Sequence, residues 1–382
     1  MHISRRKFLR QTAYATSALA SASTLAACGI FDKNSQPSES VTEDVPRPVT
    51  QNKQTLYIYG WSNYVDNREI LDEFTKETGI KVFGDAYDSN EVMLAKLEAS
   101  GGRSGYSIIY PSDYMVTQMR EKKLLAPLNR QLLPNIKNIA ARYLELPHDR
   151  GAVFSVPVSL GTTGIAYNVE AVKSVVGEEP TDWNYLWEHK NKLRITLLND
   201  PREVMGMGLH IVGQDYTTKE PQNIDQAFQK LRELMPAIAN FTTDAWKEPL
   251  ASGDLMMCMA FSSDAINAAR EDPNIKYILP SDGTSIWTDT IAIPRGASNI
   301  EGAHAWINYV MKPEVAAKIS DAISLATTNK IAKPMISDDL KAIKSLEPSE
   351  AVISKSYRLT ALDPEVQQIH DGFWTRLITG LG

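Results

Sequence analysis

The sequence predicts an α/β fold divided between two lobes, on three observations. Short β-branched and aromatic runs alternate with amphipathic runs at helical spacing, the pattern of a largely parallel sheet covered by helices. The alternation occurs near the start of the ordered chain and resumes in its middle. The chain has 382 residues, more than one hydrophobic core usually serves.

The first element is no part of the fold. Ser4-Arg5-Arg6-Lys7-Phe8-Leu9-Arg10 precedes an Ala/Ser-rich segment from Ala13 to Ala27, and together they resemble a twin-arginine export signal. The segment closes on Leu25-Ala26-Ala27-Cys28, which resembles a bacterial lipobox with Cys28 as the lipidated residue. It is too short and too rich in Ala, Ser and Thr to span a bilayer. Residues 1–27 therefore read as a removable signal. Residues 28–53, rich in Ser, Pro, Asp and Glu, read as a flexible tether to the membrane.

Order begins at TLYIYGW, an aromatic and β-branched strand. NREILDEFTKETG follows as a helix, with Ile70, Leu71 and Phe74 on one face and Gly79 as its stop. IKVFGDAYD is a second strand, and DSNEVMLAKLEAS a helix with Asp88 at its cap and Glu91 three residues on. YSIIYPSDY is a third strand ending in a Pro-Ser turn. RITLLND and its helix, LMMCMAF and its helix, and IKYILPS repeat the alternation. WTDTIAIP is a further extended segment, followed by the helices NIEGAHAWINYVM and PEVAAKISDAIS.

Composition excludes more than it selects. Loss of residues 1–27 removes four cations and no acid, which moves the formal net charge from −6 to −10. An acidic body disfavours nucleic acid and suits a cationic ligand. With Cys28 acylated, Cys258 stands alone in an apolar run and reads as a small buried hydrophobe. The six histidines are scattered, and no HExxH, CxxC, GxSxG, P-loop or helix-opening GxGxxG is present. The sequence gives no positive support to an enzyme, a metal site or a cofactor.

One stretch carries two readings. In Asp200-Pro201-Arg202-Glu203, Asp200 suits an N-cap, Pro201 the first helical position and Glu203 the acid of a capping box. The same turn would lie at the carboxyl end of a strand, where open α/β sheets bind ligands. Cap and ligand contact are compatible at this stage.

From about Thr55 to Gly380 the chain resembles the spermidine/putrescine-binding proteins of bacterial ABC transporters. The resemblance is carried, in order, by LYIYGWSNYV, EFTKETGIKV, YDSNEVMLAKL, YPSDYMV, NDPREVMGMGL, FTTDAW, IWTDTIAIP and INYVMKPEVA. It implies the flytrap fold of periplasmic binding proteins, two α/β lobes joined by hinge strands. The first lobe would span 54–160 and 290–333, the second 161–289 and 334–382. It also implies a polyamine ligand and an ABC permease as partner.

A polyamine is a flexible methylene chain with charged ammonium groups, so its site needs carboxylates at fixed separations with aromatic walls between them. Trp287 and Asp289, two apart in an extended segment, share a face. Trp61, Ser62, Asn63 and Tyr64 follow the first strand, and Ser112 and Tyr114 the third. With Asp200, Glu203, Phe261 and Asp264 they complete the expected ligand set. The resemblance has departures. Asn63 stands where an acid is common, Phe261 replaces a tryptophan and Leu325 an aromatic. Asp264 matches an acid of putrescine-preferring members, and equally suits the first turn of a helix.

The resulting expectation is a lipid-anchored, monomeric periplasmic binding protein that captures a polyamine and delivers it to a permease. Rival readings are a carrier of another small amine or an opine-like compound, a polyamine-sensing receptor subunit, and an exported hydrolase using Asp200 and Glu203.

Overall fold

The structure, a computed structural model, describes residues 53–101 and 103–380. The signal and the tether up to residue 52, Cys28 included, lie outside the described residues. Ten strands form one curled sheet: β1 Thr55–Gly60, β2 Lys81–Ala86, β3 Ile108–Ile109, β4 Ser155–Asn168, β5 Ile195–Leu197, β6 Ile238–Phe241, β7 Met257–Phe261, β8 Ile275–Ile278, β9 Ile286–Ala292 and β10 Ala326–Thr327. The path runs β2-β1-β3-β9-β4-β7-β5-β6, with β8 and β10 also paired to β4.

The sheet is mixed, which corrects the largely parallel one expected. β1 pairs parallel with β2 and β3, and β5 parallel with β6 and β7. Every antiparallel pair involves β4 or β9. The 14-residue β4 is the hub: its first half pairs with β9 and β10, its second with β7 and β8. It contains Pro157, Gly161 and Gly164, residues that ordinarily break a strand pattern. Pro157 is tolerated because the β4–β9 register shifts between it and Ser159. At Gly164 a Cβ would collide with the Ile278 carbonyl, so only glycine allows β8 so close.

The helices form for the local reasons the sequence offers. In Arg68–Thr78 the Asn67 side chain accepts from the Ile70 amide at 3.3 Å, Gly79 ends the helix at φ 74°, and Ile70, Leu71 and Phe74 are buried. The next helix, Asn90–Ala99, corrects the expected cap. Ser89, not Asp88, accepts from the Val92 amide, at 3.2 Å. One apolar core lies around β1, β3, β9 and the helix Ile300–Val310, and another around β5, β7 and the helices Pro201–Ile211 and Pro221–Arg232.

Candidate functional site

The parallel strands on both sides of β4 send their carboxyl ends to one cleft of about 890 Å3, counted out to its open mouth. Trp61, Ser62 and Asn63 arrive from the end of β1, Tyr87 and Asp88 from β2, and Ser112 and Tyr114 from the turn after β3. On the other side Asp200 and Glu203 follow β5, Thr243 and Asp244 follow β6, and Phe261 and Asp264 come from the end of β7. Trp287 and Asp289 reach the same space from β9, two residues apart on one face. Eleven of the twelve expected ligand residues thus line one cleft.

Tyr64 is the exception. It is buried outside the cleft, where its hydroxyl donates to Asp289 Oδ2 at 3.0 Å. Leu325 is likewise absent from the lining and packs in the core around β1, so the missing aromatic there leaves no gap in the cleft wall. Leu359 lines the cleft instead.

Asp200 and Glu203 take different roles. Asp200 is the cap, its Oδ1 accepting from the Arg202 amide at 2.8 Å and the Glu203 amide at 3.1 Å. Its carboxylate still lines the cleft. Glu203 does not act as the return arm of a capping box. Its Oε1 accepts from Ser285 Oγ at 3.1 Å, across to the residue just before β9, and its Oε2 has no partner among the described residues. Arg202 between them turns away from the cleft. Its guanidinium donates to the Tyr216 hydroxyl at 2.7 Å and stacks over the Tyr114 ring at 4.8 Å.

Electrostatics sets this cleft apart. Among the described residues its lining includes six acids and no Lys, Arg or His. Burial pushes Glu203 up to about 8, with the Asp200 charge adding to it. Burial pushes Asp289 up to about 7, against the hydrogen bond from Tyr64. Asp200 also rises through burial, opposed by the two amides it caps. Burial is the first cause of each shift, a carboxylate taken out of water; for Asp200 the neighbouring Arg202 cation opposes it. Asp113 shows the contrast. Equally buried, it is paired with Arg358 at 2.9 Å and reaches only about 6.

Aromatic rings form the walls. Trp287 meets Phe261 edge-on at 5.7 Å and 87°, and Trp61 meets Tyr87 edge-on at 4.6 Å. The Trp287 indole lies directly over Gly161 of β4, where a Cβ would collide with its benzo ring. Its N–H donates to Thr163 Oγ1 at 3.3 Å. Asn90 ties the wall together: its amide donates to Ser112 Oγ at 3.2 Å and Tyr114 OH at 3.1 Å and accepts from the Ser112 N–H at 3.1 Å.

A family model described as bacterial extracellular solute-binding protein matches residues 69–347. The chain belongs to that family. It is a family of solute carriers, not of enzymes. Among its relatives, a spermidine/putrescine-binding periplasmic protein of Haemophilus influenzae is 35% identical over 336 residues, covering 88% of this chain and 90% of its own. A putrescine-binding periplasmic protein of Pseudomonas aeruginosa is 33% identical, with 86% and 92% covered. The structure of a spermidine/putrescine ABC transporter protein from Listeria monocytogenes superposes with a TM-score of 0.79 at 31% identity, over 85% of this chain and 98% of that one. The two-lobed fold expected of a solute-binding protein is therefore the fold of this chain.

Sequence reasoning passed over Tyr87, Asp88, Asn90, Thr243, Asp244 and Ser263 as lining residues. Asp88 and Asp244 each follow the carboxyl end of a strand, the same signal that marked Asp200, and could have been found by applying it evenly.

Proposed function

We propose that this protein captures a polyamine in the cleft and hands it to an ABC permease. The observation that carries the reading is the pairing of buried, uncompensated carboxylates with aromatic walls. Glu203, Asp289 and Asp200 form no ion pair among the described residues, a partner that a ligand's ammonium groups would supply, and the Trp61, Phe261 and Trp287 rings suit the methylenes between them. An opine-like compound is less suited, since its carboxylates would meet six acids and no lining cation. The relatives' names support the same ligand class.

In this reading Trp61, Ser62, Asn63, Ser112, Tyr114, Asp200, Glu203, Phe261, Trp287 and Asp289 contact ligand, Asp264 is met only by a ligand long enough to reach the rim, and Tyr64 holds Asp289 in place. Two lobes, 54–160 with 290–333 and 161–289 with 334–382, close on the ligand. Two of their boundaries fall within β4 and β9, and the third, between 333 and 334, in the short turn of helix Lys333–Met335. Calorimetry against putrescine, spermidine, spermine and a panel of amino acids tests the ligand class. Binding of an amino acid with no response to any polyamine would overturn it.

The protein works as a monomer in the periplasm, exported through the twin-arginine signal and tethered by lipid on Cys28. Fatty-acid labelling that disappears in Cys28→Ser supports the anchor, and label persisting in that variant sinks it. Replacing Arg5 and Arg6 by Lys should block export.

A further inference from the structure

Among the described residues, Asp264 is the one cleft-lining acid already held in an ion pair. Its Oδ1 lies 2.8 Å from Nζ of Lys247, with the two side chains 28% and 46% exposed. Lys247 opens the short helix Lys247–Ser252, three residues after the lining acid Asp244. The acids of the cleft therefore fall into two groups. Asp200, Glu203 and Asp289 are buried and form no ion pair among the described residues, whereas Asp88 and Asp244 are exposed at the rim and Asp264 beside them is capped by Lys247.

The end of a lysine side chain is an alkylammonium with three N–H donors, chemically the end of an aliphatic diamine. A ligand ammonium arriving at Asp264 thus finds its own equivalent in place. We propose that Lys247 is a specificity-determining residue, a built-in competitor for the outermost amine position that makes the cleft favour short diamines over long ones. The inference rests on the amine-binding reading above. A short diamine uses the inner acids and leaves the Lys247–Asp264 pair intact. A long diamine that reaches the rim exchanges one ammonium for another at Asp264. It gains no contact there, and it leaves a displaced cation close to its own charge.

The test is calorimetry with 1,4-diaminobutane and 1,8-diaminooctane on the wild type, Lys247→Met, Lys247→Arg and the double variant Lys247→Met/Asp264→Asn. Both probes are dications, so a general change in cleft charge acts on them alike and cancels in the ratio of their affinities. Methionine keeps an unbranched side chain and removes the ammonium. Lys247→Met should shift the ratio toward the longer diamine by at least about threefold, the scale of a partly exposed ion pair. Lys247→Arg should hold the wild-type ratio, and the double variant should return to it. A ratio unmoved in Lys247→Met, with the wild type binding either diamine, overturns this inference and leaves the amine-binding reading standing. A wild type that binds neither diamine nor any polyamine overturns that reading, and this inference with it.

Discussion

Glu203 offers the cleft one oxygen hydrogen-bonded to Ser285 and one without a partner among the described residues. Glu203→Gln keeps the shape and removes the charge, so it separates a ligand contact from a merely structural acid. Loss of one partner of a buried charge pair costs about 2–5 kcal/mol, roughly thirtyfold or more in affinity. That loss is expected for Glu203→Gln and Asp289→Asn by calorimetry, with ligand-free melting temperatures unchanged or raised. Normal polyamine affinity in both variants would remove these residues from the site. The same acids set a pH dependence. A carboxyl whose value is raised by folding binds protons more tightly in the folded state. Its contribution to stability is then greatest below the unfolded value and is lost as pH rises through the folded one. Ligand-free stability should fall from the ordinary carboxylate range up to about 8, the value to which Glu203 is raised. Ammonium binding favours the ionised form, so complex formation between about 4.5 and 8 should release protons, seen as a calorimetric enthalpy that changes with buffer. No buffer dependence in that window would count against charged contacts at Glu203 and Asp289. At this scale the sequence was legible where a residue type and a strand end coincided, as at Asp200 and Asp289. It was not legible at Asn90 or Tyr87, whose roles depend on contacts with residues tens of positions away, such as Asn90 with Ser112 and Tyr87 with the Tyr110 carbonyl.

β4 shows how an element can be decisive and yet hidden. Pro157, Gly161 and Gly164 blur the strand signal, and two of them are explained only by what packs against them. Gly161 lies under the Trp287 indole and Gly164 against the Ile278 carbonyl. Neither neighbour lies within a hundred residues of β4 in sequence. Strands β1 and β7 were legible from their apolar runs and β5 and β9 from β-branched and aromatic residues with no Gly or Pro inside, and the two-residue β3 was overestimated from the apolar flank around it. Gly161→Ala is the test at this scale. A methyl beneath the indole forces the ring outward, and overpacking of this kind typically costs about 1–3 kcal/mol. The expected result is a lower melting temperature together with weaker polyamine binding, because the displaced ring is itself cleft wall. A melting temperature equal to wild type would mean the Trp287 wall is not fixed by β4.

For the molecule as a whole, ligand that contacts both sides of the cleft should raise the melting temperature by mass action and reduce the radius of gyration. Small-angle scattering identical with and without saturating ligand would argue against closure. The sheet has a further consequence, in the order in which the chain is made. All four strand partners of β4, namely β7, β8, β9 and β10, lie C-terminal to it. The helix Pro364–Thr379 also packs on Pro201–Ile211 and Pro221–Arg232. A ribosome that has synthesised the chain only through residue 250 has made β4 with both edges bare, a template for wrong pairing. Ribosome-stalled chains ending before β9 should therefore remain protease-sensitive through β4, with protection appearing only once β9 has emerged. The cleft comes into being at the end of translation, since its central strand must wait for the last third of the chain.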